Sequence, residues 1–383
     1  GTLSLAAAEN PFDGPAATRQ IVVFNDSTAD AAAQQAIIAR AGAQWLKPLR
    51  LINAAVVLAP PANQRALAAH PAVLRIDPDV VVYALDKPEP RAKPTKPTPT
   101  PGPTEQVPWG VDRIEAEKVW PDNTGAGIKV AVLDTGIDLD HPDLAGNIKG
   151  GVNTINPRKK ADDDNGHGTH VAGIIAAIDN SIGVVGVAPQ AWLYAVKVLG
   201  ASGSGYLSDI IEGLEWCASN GIQVVNMSLG TSVDVQSFHD AIKAAAGKDI
   251  IMVASAGNNG PGQDTVDYPA KYEEVIAVAA TDQANVAAYF SSTGAAVELA
   301  APGVAIYSTV KGGGYDYKSG TSMAAPHVSG TAALAIKTYP TASDEWIRDR
   351  LCDTAIELGA GGWDSIYGCG LVNALAAVTA TPK

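Results

Sequence analysis

The chain has 383 residues, 46% hydrophobic and 17% charged, a composition that forms a core and excludes a disordered protein. It carries 27 basic and 40 acidic residues, a net charge of −13, which argues against nucleic acid and anionic membranes as partners, since both need a basic face. No apolar run reaches the ~18 residues of a membrane span, and three cysteines cannot make a disulfide-dense scaffold or a four-thiolate zinc site. The opening GTLSLAAAEN lacks a basic leader and a long apolar stretch and is not expected to be a complete signal peptide.

In chain order, a small domain is expected over residues 1 to 85, with its core in 19 to 85. RQIVVF (19 to 24) reads as a strand and ADAAAQQAIIARAG (29 to 42) as a helix with Ile37 and Ile38 on its apolar face. INAAVVLAP (52 to 60) is a second strand, ANQRALAAHP (62 to 71) a helix stopped by Pro71, and VLRID and VVVYAL (73 to 77, 80 to 85) add further β pairing. The alternation predicts an α+β fold, an antiparallel sheet with two helices on one face. Residues 86 to 104 hold seven prolines, which remove backbone donors and keep the preceding residues extended, so a semi-rigid linker is expected there.

Residues 105 to 383 form a larger domain. KVAVLD (129 to 134), LYAVKVL (193 to 199), QVVNMSL (223 to 229), IIMVASA (250 to 256) and VIAVAA (275 to 280) are short apolar runs between helical patterns. Apolar on both faces, they predict an α/β fold with a mostly parallel sheet flanked by helices. From residue 105 onward the chain carries 32 acidic against 17 basic residues, which suits cation binding.

Three motifs carry chemistry. VAVLDTGIDLDHPDL (130 to 144) ends a buried strand at Asp134, where ligand chemistry gathers in parallel sheets. DNGHGTHVAG (164 to 173) sets His167 between glycines as a helix begins, and SGTSMAAPHVSG (319 to 330) sets Ser322 on a turn before an apolar helix. Singly, each has an ordinary explanation as a turn cap, a packing histidine or a helix cap. Together, a carboxylate, an imidazole and a hydroxyl on glycine-marked turns are the parts that activate a weak nucleophile.

On these motifs, residues 105 to 380 resemble the subtilisin-like serine proteases, the subtilases. The resemblance implies Ser322 as nucleophile, His167 as its general base and Asp134 as the orienting carboxylate. It implies Asn258, in ASAGNNG (254 to 260), as side-chain donor to the oxyanion beside the backbone N–H of Ser322. Ser228, Leu229 and Gly230 on one side and Gly203, Ser204 and Gly205 on the other match the segments that hold substrate as an added strand. Leu207 and Leu229 would line an apolar pocket upstream of the cut. Asp267 falls where many members carry glycine at the floor of the P1 pocket, so it either attracts Lys or Arg there or points to solvent.

Calcium is the implied cofactor, held by the side chains of Gln106, Asp143 and Asn180 and the carbonyls of Ile178, Ile182 and Val184, with Glu105 as the alternative to Gln106. A weaker cation mapping uses the carbonyls of Ala270, Tyr272 and Val275 with Glu298. Asp162, Asp163 and Asp164 read as a solvated turn, His170 as a buried helix residue and Cys217 as a packing thiol. A disulfide between Cys352 and Cys369 is expected in an exported protein.

Residues 19 to 85 resemble the family's propeptide, a ferredoxin-like intramolecular inhibitor and folding template whose tail lies in the active cleft. That implies self-cleavage between Leu85 and Asp86, with processing inside the linker as the alternative. The resulting expectation is a secreted, monomeric, calcium-dependent serine endopeptidase in precursor form, acting on polypeptides. A processing protease selective for basic residues and a catalytically silent binding protein on the same fold are the rival readings.

Overall fold

A computed structural model describes residues 16–28, 30–85 and 104–380. The expected linker up to residue 103, and Asp86 with it, lie outside the described residues. The chain divides into two compact units, one running to Asp79 and including Val235–Ser237, the other formed by Val80–Asp234 and Phe238 onward.

In the first unit the order is β1 (Thr18–Phe24), α1 (Ala31–Arg40), β2 (Gln44–Leu49), β3 (Ala54–Ala59), α2 (Pro61–Ala68) and β4 (Val73–Pro78). The strands make a four-stranded antiparallel sheet, ordered β2-β3-β1-β4. Asp30 caps α1 by accepting from the Ala33 N–H at 3.1 Å, and Pro61 opens α2, where a missing N–H costs nothing. Val22 and Phe24 of β1 and Ala55 and Val57 of β3 alternate onto one face and pack with Ile37, Ile38 and Leu67 from the two helices. Fully burying side chains of this size is worth about 1.5–3 kcal/mol each. β2 was not expected from the sequence, because Lys47 and Pro48 interrupt its pattern. As an edge strand it tolerates a proline, whose missing donor would break an inner ladder.

The second unit opens with β5 (Val81–Ala84), followed by α3 (Trp109–Arg113), β6 (Lys129–Asp134), β7 (Ile148–Asn153), α4 (His167–Ala176) and β8 (Trp192–Lys197). Next come β9 (Ser204–Tyr206), α5 (Leu207–Ser219), β10 (Val224–Met227), β11 (Leu229–Gly230), α6 (Gln236–Ala246), β12 (Ile251–Ser255) and β13 (Val275–Thr281). β14 (Val297–Pro302), β15 (Ile306–Val310), β16 (Gly314–Lys318), α7 (Thr321–Thr338), α8 (Asp344–Asp353) and α9 (Ala374–Thr379) complete it. Among the described residues a seven-stranded sheet runs β14-β13-β12-β10-β6-β8-β7, and each neighbouring pair is parallel. The five strands read from apolar runs are its inner members. β7 and β14 are its edges, and β7, with two glycines, lacks the apolar run that marks a buried strand.

Val81–Ala84 belongs with the second unit, so the units part at Asp79 and Val80, ahead of the boundary read at residue 85. The reason is hydrogen bonding: β5 lies between β11 and β9 in a three-stranded antiparallel sheet. α4 is buried along its whole length and α7 from Thr321 to Ala335, which places two helix N-termini deep in this unit.

Cys352 and Cys369 form a disulfide that closes a loop of sequence separation 17, and Cys217 is a buried thiol that burial keeps protonated. Replacing both bridged cysteines with serine is expected to cost about 3 kcal/mol of stability by closing off less unfolded-chain entropy. Denaturant unfolding of the two proteins checks this, and equal midpoints would exclude a stabilising bridge.

Candidate active site

Asp134 is the last residue of β6 and His167 the first of α4, and both are fully buried. The His167 Nδ1 lies 2.7 Å and 2.8 Å from the two Asp134 carboxylate oxygens. Asp134 Oδ1 also accepts from the Thr135 N–H at 2.6 Å. The strand end and the helix start approach so closely that a Cβ on Gly168 would lie 2.1 Å from the Gly136 carbonyl oxygen. Gly166, at φ 108°, turns the chain into the helix in a conformation that side chains disfavour.

Ser322 is the second residue of α7. Its Oγ donates to the Leu85 carbonyl at 2.9 Å and to the Ser228 carbonyl at 3.1 Å. Asn258, on the loop after β12, points its Nδ2 at the same Leu85 carbonyl from 2.5 Å. Its Oδ1 accepts from Thr321 N at 3.0 Å and Thr321 Oγ1 at 3.1 Å, which fixes the amide with its N–H outward. Of the paired asparagines, Asn259 turns away and donates to Asp267.

The Leu85 carbonyl is presented by β5, whose Val82 pairs with Gly205, Tyr83 with Ser204 and Gly230, and Ala84 with Leu229. The Leu85 N–H donates to the Ser228 carbonyl at 3.4 Å, and Ala84 N–H to Gly203 at 2.8 Å. The two segments singled out in the sequence thus flank one strand, and Leu229 on β11 and Leu207, directly after β9, are fully buried. An added Cβ on Gly230 would meet both Leu85 Cδ1, at 2.9 Å, and Asp267 Cβ, at 3.0 Å. Asp267 therefore packs against the same glycine as the Leu85 side chain, is only 6% exposed, and does not face solvent. Burial pushes its carboxyl up from the usual range, against the opposing pull of Asn259 and Lys271.

Several residues at the site carried no clear signal in the sequence. Pro326 sits inside α7 and has no N–H to give the Ser322 carbonyl four residues before it. The Ser228 hydroxyl supplies the bond instead, at 2.8 Å, and is itself held by Asn226 at 2.9 Å. In the Asp162–164 run Asp162 and Asp164 are exposed, as read, but Asp163 is not. Asp162 accepts from Leu139 N–H, Asp164 pairs with the buried Lys197 at 2.6 Å, and Asp163 is 8% exposed and heavily hydrogen-bonded. Their signal was hidden because three adjacent acids look alike in a sequence, and only the packing separates them. His170, as read, is a buried helix residue whose Nε2 faces the Ile306 carbonyl.

The loop after α4 gathers hard oxygen donors. Asp143 accepts from Asn180 Nδ2 at 2.6 Å and from Val184 N–H at 3.0 Å, and Asn180 Oδ1 accepts from Ile182 N–H at 2.7 Å. The incoming segment lies along this loop, Thr104 bridging to Ile182 and Gln106 to Val184. The side chain it sends there is Glu105, which accepts from Asn180 N–H, and not Gln106. Neighbouring residues of an extended segment face opposite ways, and the exposed Gln106 lines a separate cavity of about 680 Å³ with Trp109, Tyr307 and Tyr317. Burial raises the carboxyls of Asp143 and Glu105, and for Glu105 the charges of Asp179 and Asp143 add to the rise. Two destabilised carboxylates among amide donors suit a cation. Among the described residues there is no cluster of three acidic, His or Cys side chains, so backbone carbonyls would have to complete any metal shell.

The weaker cation mapping does not survive. Glu298 is held by Arg348, at 2.7 Å to Nε, and the same guanidinium donates to the Glu273 carbonyl at 2.7 Å and approaches that of Val275. A fixed side-chain cation already stands there.

The model of the subtilase family matches residues 125–370. The chain is 50% identical over 274 residues to subtilisin Savinase of Lederbergia lenta, covering 71% of this chain and 99% of that protein. It is 49% identical over 272 residues to alkaline elastase YaB of Bacillus sp. (strain YaB), covering 71% and 70%. To subtilisin E of Bacillus subtilis (strain 168) it is 40% identical over 358 residues, covering 92% of this chain and 87% of that protein.

Proposed function

The chain belongs to the subtilase family, and from that membership we propose how its residues divide the work of cutting a peptide bond. It is a serine protease, a secreted hydrolase made as a self-processing precursor. The observations that carry the assignment of roles are the Leu85 carbonyl, held by the Ser322 hydroxyl and the Asn258 amide, and the buried Asp134–His167 hydrogen bond.

Ser322 Oγ attacks the carbonyl carbon while His167 takes its proton. Asp134, bonded to Nδ1, orients the imidazole and stabilises it when charged. The negative oxygen that forms is held by Asn258 Nδ2 and the Ser322 N–H, a free helix-start donor at the positive end of α7. Collapse breaks the C–N bond. His167 gives its proton to the leaving amine, and Ser322 is left as an ester. Water then repeats the sequence with His167 as base, releasing the acid and restoring the hydroxyl.

Substrate polypeptide would replace β5 between Gly203–Gly205 and Ser228–Gly230, gaining affinity from main-chain bonds. In the precursor that place is taken by the chain's own Val81–Ala84, so self-cleavage falls between Leu85 and Asp86. Residues 1 to 85 would then act as inhibitor and folding template, 86 to 104 as linker and 105 to 383 as catalytic domain, working as a monomer. The β-α-β-β-α-β order and the β2-β3-β1-β4 sheet support a ferredoxin-like fold for the first of these. A template helps because a parallel sheet joins distant segments and folds slowly.

Calcium would be held by Glu105, Asp143 and Asn180 with the carbonyls of Ile178, Ile182 and Val184. Bound there, it would supply charge neutralisation and a cross-link between the incoming segment and the loop, and no chemistry at the reacting bond. Asp267 favours a second reading of specificity, a preference for Lys or Arg at P1, since this buried acidic residue packs its Cβ against the same glycine, Gly230, as the Leu85 side chain.

Ser322→Ala is expected to abolish fluorophosphonate labelling and self-cleavage, and Asn258→Leu to lower kcat by roughly 10²–10³-fold with little change in KM. Labelling that persists without Ser322 would refute the protease reading. In the uncut Ser322→Ala chain, calcium at 100 times its Kd is expected to add about 2.7 kcal/mol of stability. Glu105→Ala should lose most of that gain while Gln106→Ala keeps it, as measured by thermal unfolding with calcium and with chelator. The raised Asp267 carboxyl stays neutral up to a higher pH than an ordinary one, so its attraction for a basic P1 residue is lost as pH falls and grows as pH rises. The turnover ratio of matched Lys and Leu substrates should rise with pH and be flat in Asp267→Ala. A ratio that is the same in both proteins at every pH removes the basic preference.

A further inference from the structure

We propose that Asp163 is a positioning residue that holds Asp134 and His167 in register for proton transfer. The inference rests on the catalytic roles given above. Asp163 does not belong to β6 or to α4, yet its carboxylate bonds to both ends of the catalytic pair. Oδ1 accepts from Thr135 Oγ1 at 2.8 Å, directly after Asp134, and from Asn165 N–H and Gly166 N–H, both at 2.9 Å, directly before His167. Oδ2 accepts from Thr169 N–H at 3.0 Å and Thr169 Oγ1 at 2.6 Å, one residue past Gly168. The ring closes through Thr135, whose Oγ1 also accepts from Gly168 N–H at 2.9 Å.

The arrangement has a physical logic. The end of β6 and the start of α4 come together at Gly136 and Gly168, and a strand and a helix share no ladder of hydrogen bonds to fix their spacing. One buried carboxylate can accept from several donors at once, and such charge-assisted bonds are short and strong. A helix start also supplies the unpaired N–H groups and the positive dipole end that an anion needs. The Thr135 hydroxyl can serve as both donor and acceptor, so it couples the strand end to the carboxylate and to the helix. An amide in place of the carboxylate would set an NH₂ against donors and leave some of them unpaired in the interior. The His167 ring would then settle differently against Asp134, and small misplacements of reacting groups are costly in rate.

Three full-length variants test this: Asp163→Asn, Thr135→Val and Thr135→Ser, each allowed to self-process. Active sites are counted by fluorophosphonate titration, so that kcat refers to competent enzyme only. Asp163→Asn and Thr135→Val are expected to lower kcat on the order of 10–100-fold with KM unchanged. Thr135→Ser keeps the hydroxyl and should stay near the parent. The low-field proton resonance of the His167–Asp134 bond should move or vanish in the first two and remain in the third. Should Asp163→Asn fail to fold, the Thr135 pair decides alone. A parent-like kcat per titrated site in Thr135→Val, an unmoved resonance, or equal damage from Ser and Val would overturn the proposal. Activity surviving in Ser322→Ala would instead place the fault in the protease reading.

Discussion

The close meeting of α4 with the end of β6 is the constraint on which the site depends. A buried carboxylate and a buried imidazole can share a proton only if their backbones come within a few ångströms. Here the glycine at 168 makes room, since any Cβ would collide with the Gly136 carbonyl. Once the two elements touch, their exposed polar ends must be satisfied away from water, because an unpaired buried donor is expensive. Asp163, Thr135 and the Asn165 side chain, which accepts from His167 N–H at 3.1 Å, meet that demand. The polar network around the pair is thus a consequence of the approach that brings the pair together.

The nucleophile is placed by a different device. A proline in α7 deprives the Ser322 carbonyl of its helical donor, and the Ser228 hydroxyl takes over. Ser228 sits at the edge of the strand that flanks substrate, and its own carbonyl accepts from Ser322 Oγ and from Leu85 N–H. One residue therefore ties the register of the bound strand to the position of the attacking hydroxyl. The oxyanion side is coupled in the same manner, because Thr321, next to the nucleophile, orients the Asn258 amide. Errors in one part would propagate to the others, which is how a rigid site keeps all its distances at once.

The acidic balance of the large domain resolves into distinct uses. Asp134 faces an imidazole, Asp163 faces backbone donors, Asp164 faces Lys197, and Glu298 faces Arg348. Glu105 and Asp143 share a loop with donors of partial charge only, and burial makes both reluctant to ionise. Under the proposed calcium reading a divalent ion would answer that strain, whereas at Glu298 the Arg348 guanidinium has already answered it. Asp267 stands apart, a buried carboxyl that burial makes reluctant to ionise and that Asn259 holds by a hydrogen bond.

The sequence by itself determined the two-part organisation, the inner strands and the residues of the catalytic motifs. Buried parallel strands must be apolar on both faces, and turns that carry chemistry are marked by glycine, so both are written locally. The edge strands β2, β7 and β14 were not legible, because an edge needs no unbroken apolar run and tolerates proline or glycine. Nor could the sequence separate Asp162, Asp163 and Asp164, tell that Glu105 is the side chain bonded to Asn180 N–H, or assign β5 to the larger unit. Those choices follow from which face an extended residue presents, which donors surround a carboxylate and which strands a segment can reach. Each is a relation between groups far apart along the chain, and only the tertiary structure brings them within bonding distance.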